Sequence, residues 1–259
     1  MRISRHLTLI ASAAAVALMA HGAQAQEVIR IGTEGAYPPF NVLEADGTLT
    51  GFDIDIARAL CEEMQVECEF VTSDWDGIIP ALIAGRFDAI IASMSITEER
   101  KEQVDFTEKY YNTPPAIAVP VDSEIAEATD EALSGVALGA QSSTTHSNYA
   151  EEKLPSADIR LYPTPDEYKL DIVNGRIDAV IDDVIVLSEW LETEDGACCK
   201  LLGTLEPDPV INGEGAGIAV RKGEDELREQ FNAAIQAIRE NGTYQEINDK
   251  YFDVDVYGG

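Results

Sequence analysis

The sequence predicts an α/β protein built as two similar lobes facing one cleft, and three observations carry that expectation. Two segments, Ala84-Gly-Arg-Phe-Asp-Ala-Ile-Ile91 and Asn174-Gly-Arg-Ile-Asp-Ala-Val-Ile181, both read as a helix end, a Gly at the C-cap and a buried strand. Both strands are short apolar runs of the kind buried in parallel sheets. Each finishes in polar residues, Ser93 and Ser95 in one and Asp182 and Asp183 in the other. Ligands in open α/β sheets sit at the carboxyl ends of strands. The economical interpretation is therefore two lobes on one plan with corresponding strand ends facing each other; chance recurrence of a common helix–turn–strand unit is the competing account.

Composition bounds the function. The chain has 259 residues, 45% hydrophobic content and a formal net charge of −30, enough for one or two cored domains. Its field would repel nucleic acid and anionic membrane surfaces, so neither is an expected partner. Arg2 and Arg5, the apolar run Leu7 to Ala20 and the small-x-small Ala23-Gln24-Ala25 read as a signal peptide cleaved near Ala25. Removing two Arg and no acid takes the net charge from −30 to −32. That run is too short to span a membrane, no later one is longer, and the cleavage site has no Cys to lipidate. A soluble exported protein without direct membrane insertion is expected.

Export allows disulfides. Cys61 and Cys68 flank a helix end and a strand start and are expected to be bonded, stabilising by about 2 kcal/mol in the chain-entropy picture. For Cys198-Cys199, two thiols and a loop disulfide both remain open. No nearby His supports a metal there, and neither metal nor cofactor is expected.

Taken in order, Val28 to Thr33 alternates as a strand, and Glu34-Gly-Ala-Tyr-Pro-Pro-Phe40 follows as a loop its prolines keep from being helical. Glu34 and Tyr37 thus lie just past a strand's carboxyl end. Asp46-Gly47 marks a turn. Phe52, Ile54, Ile56, Ala57, Leu60 and Met64 space out as one buried helix face. Glu67 to Thr72 is a second strand, ending at Ser73-Asp-Trp75-Asp76, and a helix from about Gly77 to Ala84 leads to the strand opening at Asp88. After Ser95, Thr97-Glu-Glu-Arg100 reads as an N-cap and first helical turn. Hydroxyls, free N–H groups and a guanidinium meet at this corner, which suits the carboxylate of a small ligand. An Arg that merely begins an exposed helix is the competing reading.

Tyr110 to Val121, interrupted by Pro114-Pro115, is a crossover into the second lobe. Val136 to Ala140 is a strand, followed by the hydroxyl-rich Gln141-Ser-Ser-Thr-Thr145 and a helix near His146, which is expected at an exposed helix start. A helix spans Asp166 to Asn174. Asp182 is expected as a strand-end or hinge residue. Ile211 to Val220 returns the chain, and helices at Glu224–Glu240 and Tyr244–Tyr251 close the first lobe. Leu187, Trp190, Phe231, Ile235 and Ile238 lie at helical spacing and are expected in the core.

Five segments carry a family resemblance: Ile31-Gly-Thr-Glu-Gly-Ala-Tyr-Pro-Pro-Phe40, Gly51-Phe-Asp-Ile-Asp-Ile56, Ser93-Met-Ser-Ile-Thr-Glu-Glu-Arg100, Asn174-Gly-Arg-Ile-Asp178 and Asn241-Gly-Thr-Tyr244. With the tail Tyr251 to Gly259, the chain resembles the polar amino-acid-binding proteins of ABC importers, which include lysine/arginine/ornithine-, histidine-, arginine- and glutamine-binding members. The resemblance implies a two-lobed periplasmic-binding-protein-like (type II) fold, each lobe a mixed sheet flanked by helices, joined by two hinge strands. Residues 26–112 and 215–259 would form one lobe, 113–214 the other, and 1–25 the signal peptide. It implies a periplasmic, monomeric binding protein, not an enzyme, that delivers an amino acid to a membrane permease.

Carried over, Arg100 would pair with the ligand α-carboxylate, Ser95 and Thr144 adding N–H and hydroxyl bonds. Asp183 would receive the α-ammonium with help from Ser93. Tyr37 and Trp75 would sandwich the side chain, and Gln141 and Ala140 would line the second lobe. Ala92-Ser93 stands where basic-amino-acid binders often have Ser-Ser. Glu34 is the choice seen in arginine-specific relatives, where many lysine/histidine binders have Asp. An acid beside two aromatic faces suits a guanidinium, so arginine is favoured, with lysine, ornithine, histidine, opines or neutral amides as alternatives. An exported prephenate/arogenate dehydratase is the rival from another class, with Glu34 and Asp183 as acid and base. A single Arg in an acidic pocket suits a dianionic substrate poorly.

Overall fold

In the computed structural model, which describes residues 28–258, β1 (Val28–Thr33) runs into a small antiparallel unit of β2 (Ala36–Tyr37), β3 (Asn41–Leu43) and β4 (Leu49–Thr50). The expected signal peptide lies outside the described residues. Helix α1 (Phe52–Glu63) buries Phe52, Ile54, Ile56, Ala57 and Leu60, the apolar positions of its sequence pattern. Then come β5 (Glu67–Thr72), α2 (Trp75–Ile83), β6 (Ala89–Ile90), the single turn α3 (Glu98–Lys101) and β7 (Val104–Tyr111). The chain crosses into β8 (Pro115–Pro120), β9 (Ala137–Gln141), α4 (Thr145–Lys153), β10 (Asp158–Tyr162), α5 (Pro165–Val173), β11 (Ala179–Asp183), α6 (Val184–Leu191) and β12 (Cys199–Thr204). After α7 (Pro209–Asn212) it returns through β13 (Ala216–Arg221) to α8 (Asp225–Glu240) and α9 (Thr243–Tyr251).

Two five-stranded mixed sheets result, ordered β5-β1-β6-β13-β7 and β10-β9-β11-β8-β12. In each, three parallel strands meet one antiparallel strand, β13 in the first and β8 in the second. The matching segments around Asp88 and Asp178 lead into the equivalent strands β6 and β11. The two-lobed α/β architecture expected from the repeat is thus present.

The crossover read from the sequence is present, and two other features differ from the reading. The stretch from Tyr110 to Val121 leaves β7 at Tyr111 and enters β8, in the other sheet, at Pro115. The edge strands β10 and β12 carry half-exposed, mixed residues with no clear alternation, so periodicity does not reveal them. Helix α2 starts two residues early, at Trp75.

An aromatic cluster fills the first lobe: Phe40 stacks on Tyr111 at 4.6 Å and Phe52 lies 5.1 Å from Phe252. In the second lobe, β9 and β11 bury both faces, Leu138 and Ile181 on one side, Ala137 and Val180 on the other. Leu187, Trp190, Phe231, Ile235 and Ile238 are all buried, as expected. Cys61 and Cys68 are paired, their Cα atoms 6.0 Å apart, pinning α1 to β5. Cys198 and Cys199 pair with each other.

One buried acid organises the first lobe's ligand-facing loops. Asp53, in the first turn of α1, accepts from Asn41 Nδ2 at 2.8 Å, Tyr110 OH at 2.8 Å and Ser93 Oγ at 2.9 Å. Burial pushes its carboxyl up to about 6 despite these donors. Gly51 makes this approach achievable. Its φ of +116° is left-handed, and an added Cβ would lie 2.3 Å from the Phe40 carbonyl oxygen. Gly51→Ala is expected to lower unfolding free energy by at least about 2 kcal/mol, read from the urea midpoint. An unchanged midpoint would contradict this packing.

Candidate ligand-binding site

Every expected contact except Ala140 comes from a loop or helix start at the carboxyl end of a strand, or from the hairpin beside it. Glu34 follows β1, Trp75 follows β5, and Ala92, Ser93 and Ser95 follow β6, with Arg100 on α3; Gln141 ends β9 and Thr144 caps α4. These residues and Tyr37 line one hollow of about 320 Å³, joined by Thr145 and His146. Asp183 lines an adjoining hollow of about 730 Å³ that shares Tyr37, Ser93, Ser95, Thr145 and His146. Ala140 stands apart. Strand alternation turns its methyl group into the second-lobe core beside Leu138, while Gln141 turns to the cleft.

The lobes touch directly across this space. Trp75 Nε1 donates to Ser143 O at 3.1 Å, Gln141 Nε2 to Glu34 Oε1 at 2.6 Å, and Tyr37 OH to Asp182 Oδ1 at 2.5 Å. Ser142 Oγ bonds both carboxylate oxygens of Asp76 at 3.1 Å. The cleft is closed.

Arg100 bridges the lobes as well. Its Nη1 donates to Ser95 O at 2.9 Å and its Nη2 to Ser143 O at 3.2 Å, with the guanidinium 5.3 Å from the Trp75 ring centre. The residue is only 9% exposed. Burial pulls its pKa down to about 10, with Glu99 opposing. Among the described residues, no carboxylate lies within ion-pair distance of it. The exposed helix-start reading of Arg100 is thereby excluded. Both carbonyls come from loops with a left-handed serine, Ser93 at φ +55° and Ser143 at φ +58°. Such backbone in a non-glycine residue is uncommon outside constrained functional turns. The Ser93 turn is held by its N–H to Tyr110 OH at 3.0 Å and by its hydroxyl, which donates to Asp53 at 2.9 Å.

Acids form the opposite pole. Burial pushes the Glu34 carboxyl up to about 7, Gln141 donation opposing and Asp182, Asp166 and Asp74 adding to the rise. Burial likewise raises Asp183 to about 6, against the Thr113 hydroxyl, His146 and the Ile185 N–H. Asp182 accepts from Tyr37 and Tyr168 and lies 3.2 Å from His146 Nδ1. It is a buried node behind the cleft.

His146 differs from its expected exposed position: its side chain is 16% exposed and faces both hollows. Its place in the first turn of α4, one residue after two threonines, was the available signal. Thr145 was missed likewise; its hydroxyl lies 3.3 Å from that of Ser95 in the other lobe.

Residues 29–254 match the bacterial extracellular solute-binding proteins, family 3. The chain belongs to this family. The solute-binding protein is 46% identical to the L-arginine-binding protein of Pseudomonas aeruginosa over 237 residues, 90% of this chain and 91% of that one. It is similar to an ancestral arginine-binding protein solved with arginine bound, with a TM-score of 0.81 and 36% identity over 88% of this chain and 99% of that one. A further solved relative is an ancestral amino-acid-binding protein, a precursor of cyclohexadienyl dehydratase, with a TM-score of 0.79 and 35% identity over 87% of this chain and 96% of that one. Among the described residues, no helix of the solute-binding protein is long and apolar enough to cross a membrane.

The raised Glu34 carboxyl has a thermodynamic sign. Folded protein holds that proton more tightly than unfolded chain, so Glu34's contribution is fully present below about pH 4.5 and lost as pH rises through about 7. Melts of ligand-free protein across this window are expected to show a downward contribution that Glu34→Gln removes. An unchanged pH slope in the variant would assign the titration elsewhere.

Proposed function

We propose that this chain is the periplasmic binding component of an ABC importer for a cationic L-amino acid, with arginine preferred. One observation carries the reading: a buried guanidinium at Arg100 without an anionic partner, and a half-buried Glu34 carboxylate without a cationic one, line a single hollow. A ligand with a carboxylate at one end and a cation at the other satisfies both.

In this reading the ligand α-carboxylate takes the Arg100 donors, with Ser95 and Thr144 assisting. Asp183 receives the α-ammonium across the shared wall of the two hollows. The side chain runs between Tyr37 and Trp75 to end at Glu34 and Gln141, past the small face of Ala92. A planar guanidinium suits two aromatic walls and a carboxylate better than an ammonium does. Lobe boundaries at 112/113 and 214/215 put Arg100 and Asp183 on opposite halves. Each half-site alone is incomplete, so the ligand favours the closed arrangement through contacts only that state completes. The closed lobes then present the amino acid to a membrane permease. Removal of residues 1–25 and a monomeric state complete the proposal. Glu34, Asp182 and Asp183 together oppose a dianionic substrate, which disfavours the dehydratase reading.

A thermal-shift panel of amino acids, ornithine, citrulline and opines tests the ligand. Arginine is expected to give the largest rise, since native-state binding stabilises by RT ln(1 + [L]/Kd), about 2.7 kcal/mol at a hundredfold excess over Kd. A larger rise with a neutral amide would overturn the arginine preference. Turnover of added prephenate would overturn the transport reading.

Arg100→Ala leaves a ligand carboxylate unpaired in the closed cleft. The expected cost is on the order of 3–5 kcal/mol, roughly a hundred- to several-thousand-fold in Kd by calorimetry. Affinity within about threefold of wild type would refute the carboxylate assignment.

A cationic side chain needs Glu34 ionised. Arginine binding is therefore expected to weaken as pH falls below about 7, approaching tenfold per pH unit, while citrulline, which needs only Asp183 ionised, weakens only as pH falls through about 6. Equal slopes for the two would place the ligand cation away from Glu34.

A further inference from the structure

A separate hollow, of about 1260 Å³, shares no lining residue with either hollow of the amino-acid cleft. One wall is the Pro38–Pro39 turn of the first lobe, and the other is the groove between α5 and α6 of the second. On α5, Asp166, Lys169, Leu170 and Val173 recur at helical spacing and all face it. Leu170 is 58% exposed, an apolar position without a covering partner. Trp190 and Val186 form the floor on α6, both buried.

Lys169 is the anomaly. The residue is 7% exposed, yet among the described residues its amine has no hydrogen bond and no carboxylate within ion-pair distance. Asp182 and Asp166 act on it only through space, and burial pulls its pKa below the usual lysine value. A snorkelling lysine would extend its amine into water. Here nearly all of the side chain is buried and the unpaired amine lies at the wall of this hollow, where an arriving anion would pair with it.

We infer that this groove is an accessory small-molecule site that takes a monocarboxylate with an apolar body, the carboxylate meeting Lys169 and the body lying on Leu170 and Trp190. The exposed acids Asp166, Glu189 and Asp195 stand at its rim and oppose a second negative charge. Lys169 is the one cation among the lining residues, and Pro38, Pro39, Leu170, Val173, Val186 and Trp190 supply the apolar wall.

The chain has two tryptophans, Trp75 in the amino-acid cleft and Trp190 in this groove, so their indole N–H resonances report the two sites separately. With arginine present in excess, titration with hexanoate is expected to move the Trp190 signal and leave Trp75 in place. Hexanamide, the neutral match, is expected to bind at least about tenfold more weakly. Lys169→Met should erase that preference. Leu170→Asp, at an exposed position that folding tolerates, should weaken hexanoate at least about tenfold through repulsion and decides the matter if Lys169→Met does not fold. A Trp190 signal unmoved by hexanoate, equal responses to hexanoate and hexanamide, or shifts confined to Trp75 would overturn the inference. A Trp75 signal unmoved by arginine would instead count against the amino-acid reading alone, leaving the hexanoate result to stand.

Discussion

Arg100 is a full positive charge taken out of water and left with carbonyl oxygens alone. Neutral acceptors offset only part of the cost of that desolvation. Much of the surrounding architecture makes sense as the means of holding it there. Thr97 caps the one-turn helix that carries it, its hydroxyl accepting from the Arg100 N–H. The Trp75 ring covers its flank. One of its carbonyl partners belongs to the first lobe and the other to the second, so the guanidinium is fully engaged only when both loops are in place.

The acidic pole is built differently. Asp182 is satisfied by two tyrosine hydroxyls, one from each lobe, and by the Asp183 N–H. That saturation lets it sit in the wall without demanding a cation. Glu34 and Asp183 are less well supplied, and burial raises both carboxyls toward neutrality. The cleft thus pairs an underpartnered cation with underpartnered acids at a separation that keeps them from neutralising each other. A bipolar solute is what completes it. Removing either pole alone would leave the remaining charge buried, a larger cost than the number of lost bonds.

Much of this arrangement was legible in the residues. Strand β1 alternates, α1 has a complete apolar face, and the recurring Gly-Arg-x-Asp turns lead into equivalent strands of the two sheets. Glu34 and Tyr37 were legible as residues just past a strand's carboxyl end, Arg100 as part of a helix start beyond another, and Trp75 through the family resemblance. What escaped notice was set by contacts distant in sequence. Strands β10 and β12 are edges, half in water, with no period to read. The direction of His146 follows from Asp182, and the hollow that Lys169 lines is completed by a loop 130 residues earlier in the chain, at Pro39. The Ser93 hydroxyl turns inward because Asp53 claims it, a pairing across 40 residues. Ala140 was misplaced by a single step of strand alternation.

The order of strands in the first sheet bears on how the chain acquires its shape. Strand β13 lies between β6 and β7, yet more than a hundred residues separate it from either, and the whole second sheet is spelled out in between. A chain emerging from its N-terminal end can therefore assemble the second lobe while the first still has a gap at its centre. The apolar edges of β6 and β7 must wait for residues 216–221 before they are covered. Until then they are the surfaces most in need of shielding by a holdase.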